Sequence, residues 1–356
     1  MRRKVLRLLG ALVFFGVFYL LFWPVSIDPV AWTPPPAPEL TGPYAVNDRL
    51  AAASRFGAGV GIGPEDLAVD AQGRVHAGFE DGRIVRFARD GTRHAVVANT
   101  GGRPLGMRFD AAGDLIVADA VKGLLRVSPG GAITVLATEA ERTGFGFTNH
   151  LAIAKDGTIY FTDSSTRWGA GQAIADIFEH LGTGRLMAYD PATKTVRVLM
   201  RKLQYANGVA LARDDAFVAV VETGEYRIHR YWLKGPKEGQ SDIFVENLPG
   251  FPDNISANGK GTFWLAMYTV RNPAADALAA RPFLRKVVWR LPEFVQPGPK
   301  PYGFVLGLDE SGKVTHNLQD PRGGFSPVTS VVEVDGTLWL GSLSATSLAR
   351  MKAPGS

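Results

Sequence analysis

The chain has 356 residues, a formal net charge of +5 at pH 7 and no cysteine. The absence of cysteine excludes disulfide bonds, thiol catalysis and thiolate metal sites. The net charge is modest and no basic run alternates with aromatic residues, so the sequence gives no indication of nucleic-acid binding.

The N-terminal residues predict a membrane anchor. A basic flank at residues 1–7 precedes an apolar run at residues 8–25, which would span roughly 27 Å as a helix, close to the thickness of a bilayer's hydrocarbon core. The competing interpretation is a cleavable signal peptide, whose apolar part is shorter and precedes a small-residue cleavage site. The sequence favours an uncleaved, single-pass signal anchor with the remaining chain on the extracytoplasmic side. Residues 26–58 are rich in proline and are predicted to be a stiff linker.

Residues 59–353 contain six copies of one pattern, in which a strand, a tight turn and further short strands follow one another. Asp-Gly and Asn-Gly turns between alternating apolar residues are typical of β-hairpins. Repeats of roughly 40–50 residues built from about four strands indicate propeller blades, so we predict an all-β, six-bladed β-propeller. The alternative, a β-sandwich, would leave six in-phase copies unexplained. Only residues 171–182 are predicted to form a short helix. The copies are residues 67–87, 107–127, 151–189, 209–232, 255–291 and 331–351.

Four copies begin with an oxygen-bearing side chain. These are Glu65, Asn149, Asn207 and Asp253. In a ring of blades, equivalent positions point at one axis, so the two carboxylates and two amides are expected to converge. Hard oxygen ligands suit Ca²⁺ and do not suit Zn²⁺ or Cu²⁺, and we predict one axial calcium ion.

Three further residues are candidates for roles around this ion. Asn254 follows Asp253, and whichever of the two is not a ligand is expected to orient the other. Asp119 and Asp163 both end a second strand, in Val-Ala-Asp and Phe-Thr-Asp. They are candidate general bases, with structural hydrogen bonding at the end of the blade as the alternative.

Several long motifs carry a resemblance to a known family. They include residues 102–106 (Gly-Arg-Pro-Leu-Gly), 144–149 (Gly-Phe-Gly-Phe-Thr-Asn), 159–166 (Ile-Tyr-Phe-Thr-Asp-Ser-Ser-Thr) and 205–211 (Tyr-Ala-Asn-Gly-Val-Ala-Leu). The chain resembles the strictosidine synthase-like and adipocyte plasma membrane-associated protein-like branch of the calcium-dependent six-bladed propellers. That superfamily also contains the paraoxonases and gluconolactonase (senescence marker protein), and the resemblance covers about residues 60–350.

The resemblance implies the same axial ligands and two departures. The family's metal ligands fall on the four side chains already named, where the calcium polarises a substrate carbonyl or phosphoryl oxygen. Where strictosidine synthase has its catalytic glutamate, this chain has Thr329, and where paraoxonase has a histidine it has Leu105. These departures argue against amine–aldehyde condensation and against the paraoxonase histidine mechanism.

The sequence therefore predicts a membrane-anchored, calcium-dependent hydrolase of small-molecule lactones or aryl esters. Two alternatives stay open. One is a strictosidine synthase-like condensing lyase, and the other is a propeller without catalysis that binds a ligand or a protein.

Overall fold

The computed structural model describes residues 2–355 and confirms a six-bladed β-propeller preceded by one apolar helix. Six four-stranded antiparallel sheets surround one axis, and neighbouring innermost strands contact one another around a closed ring. The first elements are helix α1 (Arg2–Phe22) and strand β1 (Ser54–Phe56). The first three blades are β2 Leu67–Val69, β3 Val75–Gly78, β4 Arg83–Phe87, β5 His94–Asn99; β6 Pro104–Phe109, β7 Leu115–Asp119, β8 Gly123–Val127, β9 Ile133–Ala137; and, after a hairpin of β10 Glu139–Ala140 and β11 Thr143–Gly144, β12 Thr148–Ile153, β13 Ile159–Asp163, helix α2 Ala173–Glu179, β14 Gly184–Asp190 and β15 Thr195–Leu203.

The last three blades follow the same order, and the sixth is completed from the N-terminal side. Strand β1 pairs with the third strand of the sixth blade, which closes the ring. Short 3-10 turns lie at Gly42–Tyr44, Arg49–Ala52, Thr223–Glu225 and Glu293–Val295. The elements are β16 Ala206–Leu211, β17 Phe217–Glu222, β18 Arg227–Trp232, β19 Ser241–Val245; β20 Gly250–Ala257, β21 Thr262–Val270, helices α3 Pro273–Ala279 and α4 Pro282–Trp289, β22 Gly303–Asp309, β23 Val314–Asp320; and β24 Ser330–Val334, β25 Thr337–Gly341 and β26 Leu348–Lys352.

The two faces of the ring have different connections. We call upper the face where the innermost strands β2, β6, β12, β16, β20 and β24 begin. The register pairs the start of each innermost strand with the end of the second strand, as in Thr148 with Asp163 and Ala206 with Glu222. Loops from second to third strands therefore also lie on the upper face, whereas the tight turns lie on the lower face.

Two long insertions lie on the upper face. The segment 164–183 contains α2, as predicted. The segment 271–302 contains α3 and α4, which the sequence analysis missed, because it expected no helix there. Asn272 caps α3 by accepting hydrogen bonds from the backbone N–H groups of Ala274 and Ala275, and a proline occupies the first turn of each helix. The dipeptides Asn-Pro before α3 and Arg-Pro before α4 are helix start signals that the sequence contains.

The segment predicted as a linker is packed on the propeller instead of extending freely. Ile27 and Leu50 are each 2% exposed, and Leu50 lies in the core between the fifth and sixth blades. Trp32 stacks on His180 with 4.3 Å between ring centroids. The backbone N–H of Val30 donates to the carbonyl of Glu179. Residues 26–58 therefore belong to the folded body, and β1 is part of a blade.

Leu50 allows a test of this packing. We expect Leu50→Ala to lower the free energy of unfolding by about 2–5 kcal/mol, because a buried leucine leaves a cavity between blades. Val46→Ala, in the same segment but 55% exposed, serves as the matched control and is expected to change it little. Denaturant unfolding of the detergent-solubilised chain measures both. Equal effects would show that the segment does not contribute to the core.

Candidate metal centre on the propeller axis

The four side chains predicted from the repeat lie at the upper ends of the innermost strands. Glu65 precedes β2, Asn149 lies in β12, Asn207 in β16 and Asp253 in β20. All four are between 3% and 7% exposed. Asn207 Nδ2 donates to Asp253 Oδ1 at 2.7 Å, so two of the four are in direct contact.

A recurring backbone irregularity aims these side chains. The pairing of first and second strands shifts between Thr148 and Leu151 in β12. It shifts again at the equivalent place in β16 and in β20, so Asn149, Asn207 and Asp253 each lie within such a bulge. A β-bulge bends the strand and re-aims the extra residue, which allows a side chain at a strand end to turn towards the axis.

Each amide is oriented by a hydroxyl from its own blade. Asn149 Nδ2 donates to Ser164 Oγ at 2.9 Å, and that hydroxyl donates onward to the carbonyl of Ala206 at 2.6 Å. A hydroxyl has one hydrogen to donate, so Ser164 can only accept from Asn149. The amide nitrogen must therefore face the serine, and the amide oxygen must face the other way.

The next blade repeats the arrangement. Asn207 Nδ2 donates to Thr223 Oγ1 at 3.1 Å, and Thr223 donates to the carbonyl of Pro252 at 2.7 Å. In both blades the hydroxyl thus links one candidate ligand to the backbone of the residue that precedes the next candidate ligand. The sequence analysis missed Ser164 and Thr223, although both follow the second strand of their blade, 15 and 16 residues after the asparagine.

The arrangement leaves a set of buried oxygens without hydrogen-bond partners. They are Glu65 Oε2 and the Oδ1 atoms of Asn149, Asn207 and Asn254. Asn254 Nδ2 donates to Glu65 Oε1 at 2.7 Å, so Asn254 orients Glu65 while its own oxygen stays unpaired. Buried polar atoms without partners carry a desolvation penalty, which a bound cation would offset.

Two carboxylates are buried together at this centre. Burial raises the pKa of Asp253 to about 8. Burial and the nearby charges of Asp253 and Asp66 raise the pKa of Glu65 well above its usual range, although Arg103 and Asn254 oppose that shift. Without a cation, Asp253 therefore retains its proton near neutral pH, and the ionisation of Glu65 is disfavoured, as expected when like charges share a dry site.

The adjacent carboxylate behaves in the opposite way. Burial acts to raise the pKa of Asp66, but Arg108 and His150 outweigh it and hold that pKa well below its usual range. Asp66 Oδ2 accepts from Arg108 Nη1 at 2.8 Å and from the backbone N–H of Met107 at 3.1 Å. Asp66 is thus held as an anion by partners of its own, which bind its Oδ2, while its buried Oδ1 has no hydrogen-bond partner.

The two candidate bases differ in their surroundings. Asp163 is fully engaged, because Oδ1 accepts from the backbone N–H groups of Gly146 and Phe147, and Oδ2 accepts from Arg185 Nη2 at 2.6 Å. Asp119 Oδ1 accepts three backbone N–H groups, whereas its buried Oδ2 has no partner. Both residues stabilise an upper-face loop, and only Asp119 keeps an oxygen available.

Thr329 and Arg103 complete the surroundings of Glu65. Thr329 is buried, its hydroxyl donates to the carbonyl of Glu65 at 2.8 Å, and its own carbonyl accepts from the backbone N–H of Asn254. Arg103 is 9% exposed, and its Nη1 has no hydrogen-bond partner. Thr329 therefore positions two candidate ligands, and Arg103 is a nearby positive charge beside Glu65.

The donor set fits Ca²⁺ by its chemistry. Within residues 2–355, no group of three or more His, Cys, Asp or Glu side chains is placed to hold a metal ion. This centre is not such a group, since it combines two carboxylates with three amides. Amide and carboxylate oxygens are the usual calcium ligands, and two carboxylates balance the charge of the ion.

Solved structures with the same propeller fold include a gluconolactonase and a calcium-binding protein. A gluconolactonase from Xanthomonas campestris superposes with a TM-score of 0.62 over 93% of this chain and 98% of that one, at 16% identity. The calcium-binding protein regucalcin from Agrobacterium tumefaciens superposes with a TM-score of 0.57 over 84% of this chain and 90% of that one, at 13% identity. At these identities the likeness establishes the fold alone.

Sequence comparison identifies the family within this fold. Residues 42–87 match the strictosidine synthase-like N-terminal family, and residues 149–236 match the strictosidine synthase family. The bovine adipocyte plasma membrane-associated protein is 38% identical, over 97% of this chain and 87% of its own length. Protein strictosidine synthase-like 10 of Arabidopsis thaliana is 39% identical, over 86% of this chain and 88% of its own length. The chain belongs to the strictosidine synthase-like family.

The raised pKa of Asp253 predicts a pH dependence of stability. With a folded-state pKa of about 8 and an ordinary value of 3.8, the folded protein binds more protons between these values than the unfolded chain. In chelator, stability is therefore expected to fall as the pH rises from about 4 to about 8. Asp253→Asn is expected to reduce this slope, whereas the exposed substitution Asp335→Asn leaves it unchanged. Unfolding at pH 5 and pH 8 measures the slope, and an unaltered slope in Asp253→Asn would contradict the assignment.

Proposed function

We propose that the protein is a membrane-anchored, calcium-dependent hydrolase of lactones or aryl esters. The observation that carries the proposal is the set of unpaired buried oxygens at the upper ends of the innermost strands, on Glu65, Asn149, Asn207 and Asn254. The fold shared with gluconolactonase supports the hydrolase class. We propose Glu65, Asn149, Asn207 and Asp253 as the calcium ligands, with Asn254 orienting Glu65.

The chemistry divides between the ion and the chain. A bound Ca²⁺ would supply Lewis-acid stabilisation of the negative charge that develops on the carbonyl oxygen. Asp119 Oδ2 is the proposed general base, which accepts a proton from water as the water oxygen attacks the carbonyl carbon. The single bond between the carbonyl carbon and the ester oxygen then breaks, and Asp119 returns the proton to the leaving alkoxide. The hydroxyl contacts of Ser164 and Thr223 keep the amide oxygens of Asn149 and Asn207 in place throughout.

Substitutions at the proposed ligands and base separate binding from turnover. Asp253→Ala is expected to lose both calcium binding and hydrolysis. Asp119→Asn is expected to keep calcium binding and to lower kcat by about 10²–10⁴-fold, because a general base is removed. A panel of lactones and aryl esters, assayed with and without chelator, and calcium titration by calorimetry measure these effects.

Asp163→Asn is the control for Asp119. It would remove the charge partner of the buried Arg185, which keeps only its hydrogen bond to the Gly144 carbonyl, and is expected to lower the free energy of unfolding by about 3–5 kcal/mol. Activity per folded molecule should persist. Hydrolysis that survives complete removal of calcium would overturn the proposed mechanism.

A second candidate function is a ligand-binding propeller without catalysis. The observation in its favour is that every candidate ligand is held by a partner within the protein, which also suits a structural ion. Calcium binding and raised thermal stability without turnover of any ester in the panel would favour it. The condensing-lyase alternative has no such support, because Thr329 is committed to the Glu65 carbonyl.

The anchor has its own proposal and test. Helix α1 has 21 residues, none of them buried, and its length and composition suit a membrane span. We propose that its basic start stays in the cytoplasm and that the propeller is extracytoplasmic. Protease added to intact cells or spheroplasts is then expected to digest the propeller. Protection until the membrane is lysed would reverse the topology.

A further inference from the structure

Exposed apolar side chains are distributed unequally between the two faces of the propeller. Within residues 24–355, the loops of the upper face carry nine large apolar side chains that are at least 37% exposed, whereas the tight turns of the lower face carry none. The lower turns instead present charged residues such as Asp90, Asp156, Lys194, Lys237 and Lys260. The nine upper residues are Ile62, Val121, Ile174, Leu181, Phe283, Leu284, Phe294, Val295 and Leu343.

The end of helix α1 is attached to the same face. Arg290 lies directly after α4 in the upper insertion, and its guanidinium donates to the carbonyls of Leu20 and Trp23 at 3.0 and 2.6 Å. The last carbonyls of a helix have no partner within the helix, so Arg290 acts as a cap supplied by the propeller. The C-terminal end of α1 therefore lies at the upper face of the propeller.

The segment that follows α1 fixes this arrangement. Glu179, at the end of α2, accepts from the backbone N–H of Asp28 at 2.6 Å and from Trp168 Nε1 at 2.7 Å. Ile27 is buried against Trp168. Arg285 of α4 donates to the carbonyl of Val30. Because both upper insertions hold the segment within ten residues of the helix end, the propeller has little freedom to turn away from the helix.

The two features together point to one partner. We propose that the upper face of the propeller lies against the lipid surface of the membrane that holds α1, with its exposed apolar side chains in the interfacial layer. Apolar side chains on a surface next to a membrane span bind the interface in the same way as amphipathic helices. Phe294 and Phe283, 87% and 56% exposed, are the most exposed large apolar side chains in the insertion that caps α1.

The orientation has a consequence for the substrate. The candidate metal centre lies at the upper ends of the innermost strands, on the face that meets the lipid. The centre therefore receives its substrate from the bilayer, which favours lipophilic esters dissolved in the membrane over esters in water. This consequence depends on the proposed function, whereas the orientation depends only on the anchor and the upper face.

Single-cysteine labelling tests the orientation directly, because the chain contains no cysteine. Phe294→Cys and Val121→Cys report the upper face, Asp156→Cys and Lys260→Cys report the lower face, and Val13→Cys reports α1. Each full-length variant is labelled with an environment-sensitive fluorophore, placed in lipid nanodiscs and quenched with spin-labelled lipids. We expect several-fold stronger quenching at both upper positions than at both lower ones.

The outcomes separate the assumptions. Strong quenching at position 13 with equal, weak quenching at the four propeller positions would overturn the orientation. Weak quenching at position 13 as well would overturn the anchor, and the proposal with it. Stronger quenching at the lower positions would show the opposite face against the lipid.

An activity comparison tests the substrate class. Phe294→Asp is expected to lower the hydrolysis of a long-chain ester in vesicles about tenfold and to leave a water-soluble aryl ester unchanged, with Lys260→Ala as the lower-face control. Equal losses on both esters would overturn the lipid route. If the wild-type protein hydrolyses neither ester, the proposed function fails, and the labelling result still decides the orientation.

Discussion

The burial of two carboxylates on one axis is the constraint on which the site depends. Glu65 and Asp253 lie where water is excluded; burial raises the pKa of both, and the charge of Asp253 further disfavours the ionisation of Glu65. Arg103 is a nearby positive charge that opposes the shift of Glu65, and its one charge does not balance both carboxylates once they ionise. Because an uncompensated buried charge is strongly destabilising, such a pair persists only as a protonated site or as a binding site for a cation.

The protein meets this constraint with contacts that pass from blade to blade. Ser164 and Thr223 accept from an asparagine and donate to the residue before the next candidate ligand, so neighbouring blades set each other's side-chain orientation. Thr329 makes a different contact between blades, in which its hydroxyl donates to the carbonyl of Glu65. The amide oxygens are thereby held before any ion arrives, which reduces the ordering required on binding.

The N-terminal segment links the site to its surroundings. It contributes β1 to the sixth blade, Leu50 to the core between blades and a chain of contacts to both upper insertions. A stiff spacer would allow the propeller to take many orientations relative to a membrane. A packed segment with Arg290 on the end of α1 allows few such orientations. The direction of the anchor helix is therefore coupled to the direction in which the upper face and its candidate site point.

The sequence by itself determined the repeat, the number of blades, the apolar helix and the four equivalent side chains, because hydrophobic alternation and turn chemistry are local and recur at a fixed spacing. It also predicted the helix in residues 171–182, and it missed α3 and α4, whose start signals were short. Only the tertiary structure decided that the proline-rich segment is packed, that Asp163 is engaged by Arg185 while Asp119 keeps a free oxygen, and that Thr329 supports Glu65. Each of these depends on a partner from a distant part of the chain, and no local pattern encodes which partner the closed ring brings near.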